Sequence, residues 1–225
     1  MSKSDAESRW PDPRWYEAHE NPYGLRIFDC RQVTQTMILG TTRCETAEEW
    51  ARLLLVDGQE FRGAAPVDPV TALCNLRYPR LEGTTEGPFF IPLCMEDRWF
   101  IYAYDELLIF LAGDSFTVGY RAWYRLESDA LVIWKIEGAH ERTAGDGTLA
   151  IRNVDFLIKS HRYRFYVPHV LPLAIGDDPK QITSFSFWEY GRRACFATRE
   201  DTLAIPWREV DYKAATRLGF EGRAG

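Results

Sequence analysis

Residues 116–126 read FTVGYRAWYRL, and after Glu-Ser-Asp the chain continues as ALVIWKIE at 130–137. In the first run Phe116, Val118, Tyr120, Ala122, Tyr124 and Leu126 alternate with Thr117, Gly119, Arg121, Trp123 and Arg125. Successive side chains of an extended chain point to opposite sides, so this period of two predicts a strand with one buried face. The turn signal Ser128-Asp129 joins it to a second strand over Val132 to Glu137, and so short a link makes the pair antiparallel.

The register of this hairpin follows from parity, because a slip of one residue exchanges the two faces. A three- or five-residue loop sets Tyr124 opposite Trp134, Leu126 opposite Val132 and Ala122 opposite Ile136. The same loop sets Arg121 opposite Glu137 and Trp123 opposite Lys135. A two-residue loop would set Ala122 against Lys135 and Arg121 against Ile136. The odd loop gives one apolar and one charge-paired face and is the expected register. Its weak point is Ala130, a poor left-handed residue for a three-residue turn.

Upstream, Trp99 to Tyr104 and Leu107 to Leu111 flank Asp105-Glu106 as another hairpin. Both faces of 99–104 are apolar or aromatic, so the strand should be covered on both sides. Thr46-Ala-Glu-Glu49 has capping-box spacing, Trp50, Leu53 and Leu54 follow at helical spacing, and Asp57-Gly58 supplies a stop. This helix, near 46–57, is the expected cover. Leu25 to Phe28 reads as a short strand and the proline-bearing 61–79 as turn-rich. Ile151 to Lys159 reads as a strand, and Phe185 to Tyr190 with Arg193 to Thr198 as a last hairpin around Gly191. The class is α+β and β-rich: an antiparallel meander sheet, curled or barrel-like, with one or two packed helices.

At 225 residues the chain fits one large domain with appendages. Residues 1–24, broken by Pro11, Pro13 and Pro22, read as an extended arm partly pinned by Trp10, Trp15 and Tyr16. Residues 25–200 read as a single β-rich domain, and 201–225 as a partly helical or disordered segment. Hydrophobic residues at 46% and charged residues at 27% exclude disorder for most of the chain. A net charge of −6 argues against nucleic acid as partner, because phosphate binding needs a concentrated basic face.

No apolar run approaches the ~20 residues of a membrane span, and the N-terminus lacks the apolar core of a signal peptide. Cys30, Cys44, Cys74, Cys94 and Cys195 are widely spaced and odd in number. That usage fits a reducing compartment, the cytoplasm, and gives no zinc spacing. No metal, cofactor or catalytic residue is therefore expected.

Two groups of side chains stand out as candidate sites. Arg121, Trp123 and Arg125 share one strand face, and Trp and Arg are over-represented at binding hot spots, which marks the three as partner-binding residues. The bland alternative is that a helix covers Trp123 while the arginines reach past it to solvent. The second group is His161, Arg162, Arg164 and His169, a basic and aromatic segment suited to a ligand or anion contact. Asp155 upstream, or Glu141 beside His140, could orient a histidine acting as base. No Gly-x-Ser-x-Gly elbow or phosphate loop is present, and Cys30 has only one adjacent cation, Arg31. The expected function is a non-catalytic cytoplasmic binding or accessory protein, of the kind of an immunity protein or an assembly subunit. Its expected partner is another protein. The alternative is a small-molecule-binding β-fold or hydrolase-like enzyme with its pocket near His161 and His169.

Overall fold

The structure is a computed structural model and describes residues 10–39, 44–80 and 86–219. Among these the strands are β1 (Trp15–Tyr16), β2 (Ile27–Asp29), β3 (Val70–Pro79), β4 (Gly87–Phe90), β5 (Trp99–Tyr104), β6 (Leu107–Ala112), β7 (Val118–Leu126), β8 (Ala130–Gly138), β9 (Pro168–Val170) and β10 (Phe196–Thr198). The helices are α1 (Arg31–Thr34), α2 (Cys44–Leu53), α3 (His140–Thr143), α4 (Gly147–Leu157), α5 (Pro179–Tyr190) and α6 (Tyr212–Arg217). The first residues of the expected arm, the last of the expected C-terminal segment and the Cys44 side chain lie outside the described set.

The chain forms two compact units. One takes the chain up to Met37 and from Phe165 onward, and the other takes Ile38–Arg164. The divisions fall at 37/38 and 164/165. The cause is strand pairing: β10 bonds β2 on one side and β9 on the other, which ties the end of the chain to its beginning.

The larger unit holds a six-stranded sheet in the order β3-β8-β7-β6-β5-β4, antiparallel at every pair. It is an open sheet with β3 and β4 as its edges, and it does not close into a barrel. Trp50 and Leu53 of α2 cluster with Phe100, Tyr102 and Tyr104 of β5 and with Ile109 and Leu111 of β6. The helix expected to cover this hairpin does so, with Trp50 edge-on to Phe100 at 4.9 Å. Thr46 is not its cap, however. Helix α2 is already formed at Cys44, and the Glu49 carboxylate bonds Arg52 at 2.6 and 2.9 Å.

On the opposite face α4 packs against β3, β7 and β8. This helix corrects the strand expected at 151–159. Asp146 caps it by accepting from the Thr148 amide at 2.7 Å, and burial at Leu149, Ala150, Asn153, Val154 and Leu157 follows helical spacing. Strand β3 was also missed. It lies between Pro69 and Pro79 with an exposed residue at every second position from Thr71 to Arg77.

The β7–β8 hairpin uses both candidate registers. Glu127 N–H bonds the Ala130 carbonyl at 2.8 Å, so the turn has two residues. Tyr124 therefore faces Ile133, Arg125 faces Val132 and Leu126 faces Leu131. A bulge then absorbs Trp134, and beyond it Trp123 faces Lys135, Ala122 faces Ile136 and Arg121 faces Glu137. The tight turn decides the hairpin end and the charge-paired face decides the sheet. One extra residue in β8 reconciles them.

The smaller unit carries the sheet β1-β2-β10-β9, in which only β9 and β10 run parallel. Residues 185–190 are not a hairpin strand. They belong to α5, which starts with Asp178 as cap and Pro179 in its first turn, a good helix entry. At the far end of β2, Asp29 and Arg31 form a fully buried pair with an N–O distance of 2.7 Å.

Candidate functional site

Strand alternation and register lay out the outer face of the larger sheet as two rows. One runs Leu73, Lys135, Trp123, Leu107 and the other Thr71, Glu137, Arg121, Ile109. Leu107 and Ile109 belong to the cluster beneath α2, so the helix shields the β5–β6 half. Among the described residues the β7–β8–β3 half is partly covered: Glu137 is buried and Arg121 reaches the Ala64 carbonyl at 3.5 Å, while Thr71, Leu73 and Arg125 are exposed.

On this half, Trp123 is half-buried between two cations. The Lys135 Nζ lies 3.9 Å from the ring centroid and the Arg121 guanidinium carbon 5.0 Å from it. Glu137 holds both, with Oε2 at 2.5 Å from Arg121 Nη2 and Oε1 at 2.8 Å from Lys135 Nζ. Burial pushes the Glu137 carboxyl up, but the hydrogen bonds from Lys135 and Arg121 outweigh it and hold the group below the usual range. Leu73 is 75% exposed and Trp134, the bulge residue, 41% exposed. Arg125 is exposed and turns to Glu127 at 3.2 Å. Lys135 was not among the residues marked from sequence, although the register already placed it opposite Trp123.

Strand β3, which borders this half, is an edge strand ten residues long. Among the described residues, the backbone of Val70 to Arg77 bonds β8 and no other segment. Its outer N–H and C=O groups are thus a row open to a further strand.

The basic segment has a different character. His161 is fully buried in a π-helical turn, Ile158–Arg162, with Nδ1 at 2.9 Å from Ser160 Oγ and Nε2 at 3.0 Å from the Asp97 carbonyl oxygen. Arg162 stacks over Phe89 at 4.8 Å, and exposed Arg164 has a left-handed backbone, φ 59°. Asp155, a candidate partner for a catalytic histidine, accepts instead from Tyr78 at 2.7 Å and from Lys159 at 2.6 Å, all three being buried.

His169 belongs to the other unit. Its Nε2 lies 2.9 Å from Ser186 Oγ, which in turn is 3.3 Å from Cys30 Sγ. All three side chains are enclosed. Burial pushes the His169 pKa down to about 4 and raises that of the Cys30 thiol, so near neutral pH this set is an uncharged imidazole and an intact thiol. Such a set locks a core together and offers solvent no nucleophile. Cys30, Cys74 and Cys195 are free thiols. Among the described residues no helix is long and apolar enough to cross a membrane, and no group of three potential ligands is gathered for a metal ion. No protein-family model, curated protein or solved structure matches the chain.

Proposed function

We propose that the protein is a non-catalytic binding module that docks another protein on the β7–β8–β3 half of its six-stranded sheet. The observation that carries this reading is the Trp123 stack, a half-buried indole held between Arg121 and Lys135 beside the exposed Leu73. Arg121 and Lys135 share one carboxylate, so the stack keeps a surplus positive charge for an acidic group of the partner. Leu73 and Trp134 supply apolar area beside it, and the free edge of β3 can take an extended segment by strand addition. The widely spaced free thiols support a reducing, cytoplasmic setting.

The test compares wild type with the double variant Arg121→Ala/Trp123→Ala in capture from the native host, each captured protein being identified by mass spectrometry. Truncating a central Trp–Arg pair should weaken a true interface by several kcal/mol, enough to lose the partner. Circular dichroism checks that the variant is folded. Equal capture of the same partner by a folded double variant would place the interface elsewhere.

A further inference from the structure

The two edges of the six-stranded sheet differ in how proline is placed on them. Edge strand β4 is four residues long and carries Pro88, which removes an N–H from it. On edge strand β3 the prolines stand only at positions 69 and 79. The stretch 70–78 between them carries a single charge, Arg77, and no lysine. Long edges are normally guarded against pairing with another chain by lysines or an internal proline, and this one is not.

The same strand is incompletely covered. Val70, Ala72, Cys74 and Leu76, the row on the α4 side, are only half-buried, while Thr71, Leu73, Asn75 and Arg77 are exposed. This alternation runs without a break through the bulge opposite Trp134. A strand that completes the edge needs apolar residues on the inner row and a more polar outer row.

β3 itself has that pattern, and Cys74 lies midway between its two prolines. A two-fold antiparallel pairing about Cys74 sets Thr71 opposite Arg77, Ala72 opposite Leu76 and Leu73 opposite Asn75 of the second copy, like row on like row. Pro69 then meets Pro79 at each end, where neither has an N–H to offer, and the Pro79 carbonyl is already taken by the Tyr163 hydroxyl at 2.5 Å. One position further out, Arg80 of each copy stands opposite Asp68 of the other. Both are exposed, and among the described residues neither side chain has an ionic partner. The register also keeps the two Arg77 residues apart, each on its own Glu127 at 2.5 Å.

We infer that β3 pairs with β3 of a second copy of this chain, antiparallel about Cys74, so that two six-stranded sheets become one. This names an occupant for the β3 edge. It rests on the reading of that edge as open and not on the Trp123 stack.

Sedimentation velocity of the full chain between ~1 and ~100 µM should show a reversible monomer–dimer equilibrium. Arg80→Glu places like charges at both ends of the ladder, and Asp68→Lys does the same with the opposite sign. Each alone should weaken the dimer by about 10-fold, with circular dichroism checking that both remain folded. Mixed one to one, the two variants regain opposite charges at both ends and should associate with each other as tightly as wild type. Net charge alone would place the mixture between the two single variants. Arg121→Ala/Trp123→Ala should dimerise like wild type, which tells a failed dimer from a failed Trp123 site. Three results overturn the assignment: wild type monomeric at ~100 µM, single variants that dimerise as well as wild type, and a mixture no tighter than the better single variant.

Discussion

Trp123 works as both packing and surface, and its neighbours decide the balance. An indole alone on an open sheet face would be free to rotate, but Lys135 at 3.9 Å and Arg121 at 5.0 Å hold it from both sides. Each cation–π contact contributes roughly 0.5–1 kcal/mol at a half-exposed site, and the ring also covers some apolar surface. Trp123→Ala should therefore cost about 1–2 kcal/mol in urea unfolding, below the cost of emptying a core site. A loss of 4 kcal/mol or more would make Trp123 a core residue. Lys159 is the contrasting case. Buried on Asp155 at 2.6 Å, it neutralises a carboxylate that also holds Tyr78. Lys159→Met removes this cation from a buried carboxylate and should cost about 3–5 kcal/mol, with the double variant Lys159→Met/Asp155→Asn recovering part of the loss. A neutral Lys159→Met result would show that Asp155 does not depend on Lys159.

At the scale of elements, local geometry explains both what the sequence showed and what it hid. The alternation was readable from Tyr120 onward, where Tyr120 packs beneath α4 while Arg121, Trp123 and Arg125 stand on the other face; a bulge at Gly119 turns Val118, expected on the Tyr120 face, to the cluster under α2. Helix α4 was hidden because its buried face carries Asn153 and Asp155, each satisfied by a tyrosine, Tyr120 or Tyr78, on the sheet. Two polar residues inside the core blurred the apolar stripe that marks a helix. The signal that survives is Asp146, three residues before Leu149. Trp134 could not be foreseen as a bulge, because turn chemistry and face chemistry each looked decisive alone. Of the candidate site, Arg121 and Trp123 were legible from the register, whereas the free edge of β3 was lost in a proline-bearing stretch. The β5–β6 turn offers a direct test of element-level strain. Asp105 and Glu106 sit at φ 51° and 58°, as a two-residue turn with both central residues left-handed requires, and a glutamate tolerates this poorly. Glu106→Gly should raise stability by about 0.5–1 kcal/mol, read as a higher urea midpoint with unchanged m-value. A lower midpoint would mean that the Glu106 side chain stabilises the turn.

At the scale of the whole molecule, pH dependence separates the two units. His169 lies in the unit formed by the chain's two ends, enclosed by Ser186, Cys30 and the rings of Tyr190 and Phe185 at 4.7 and 6.1 Å. Its pKa is pushed from the ordinary 6.5 to about 4 because burial disfavours the charged ring. The unfolded chain therefore binds a proton that the folded unit refuses. The stability linked to this histidine is complete above about pH 6.5 and is lost as pH falls toward about 4. At 1.36 kcal/mol per pH unit for one proton, the loss across that window amounts to about 3 kcal/mol. Native-state hydrogen exchange followed from pH 7 to pH 4.5 should show protection falling in β2, β9, β10 and α5 while β5 to β8 hold. His169→Gln, which can still bond Ser186, should flatten the dependence in those elements. If β5 to β8 lose protection first, or if His169→Gln leaves the profile unchanged, the acid sensitivity resides in other groups, with the carboxylate of Glu137 next to be tested.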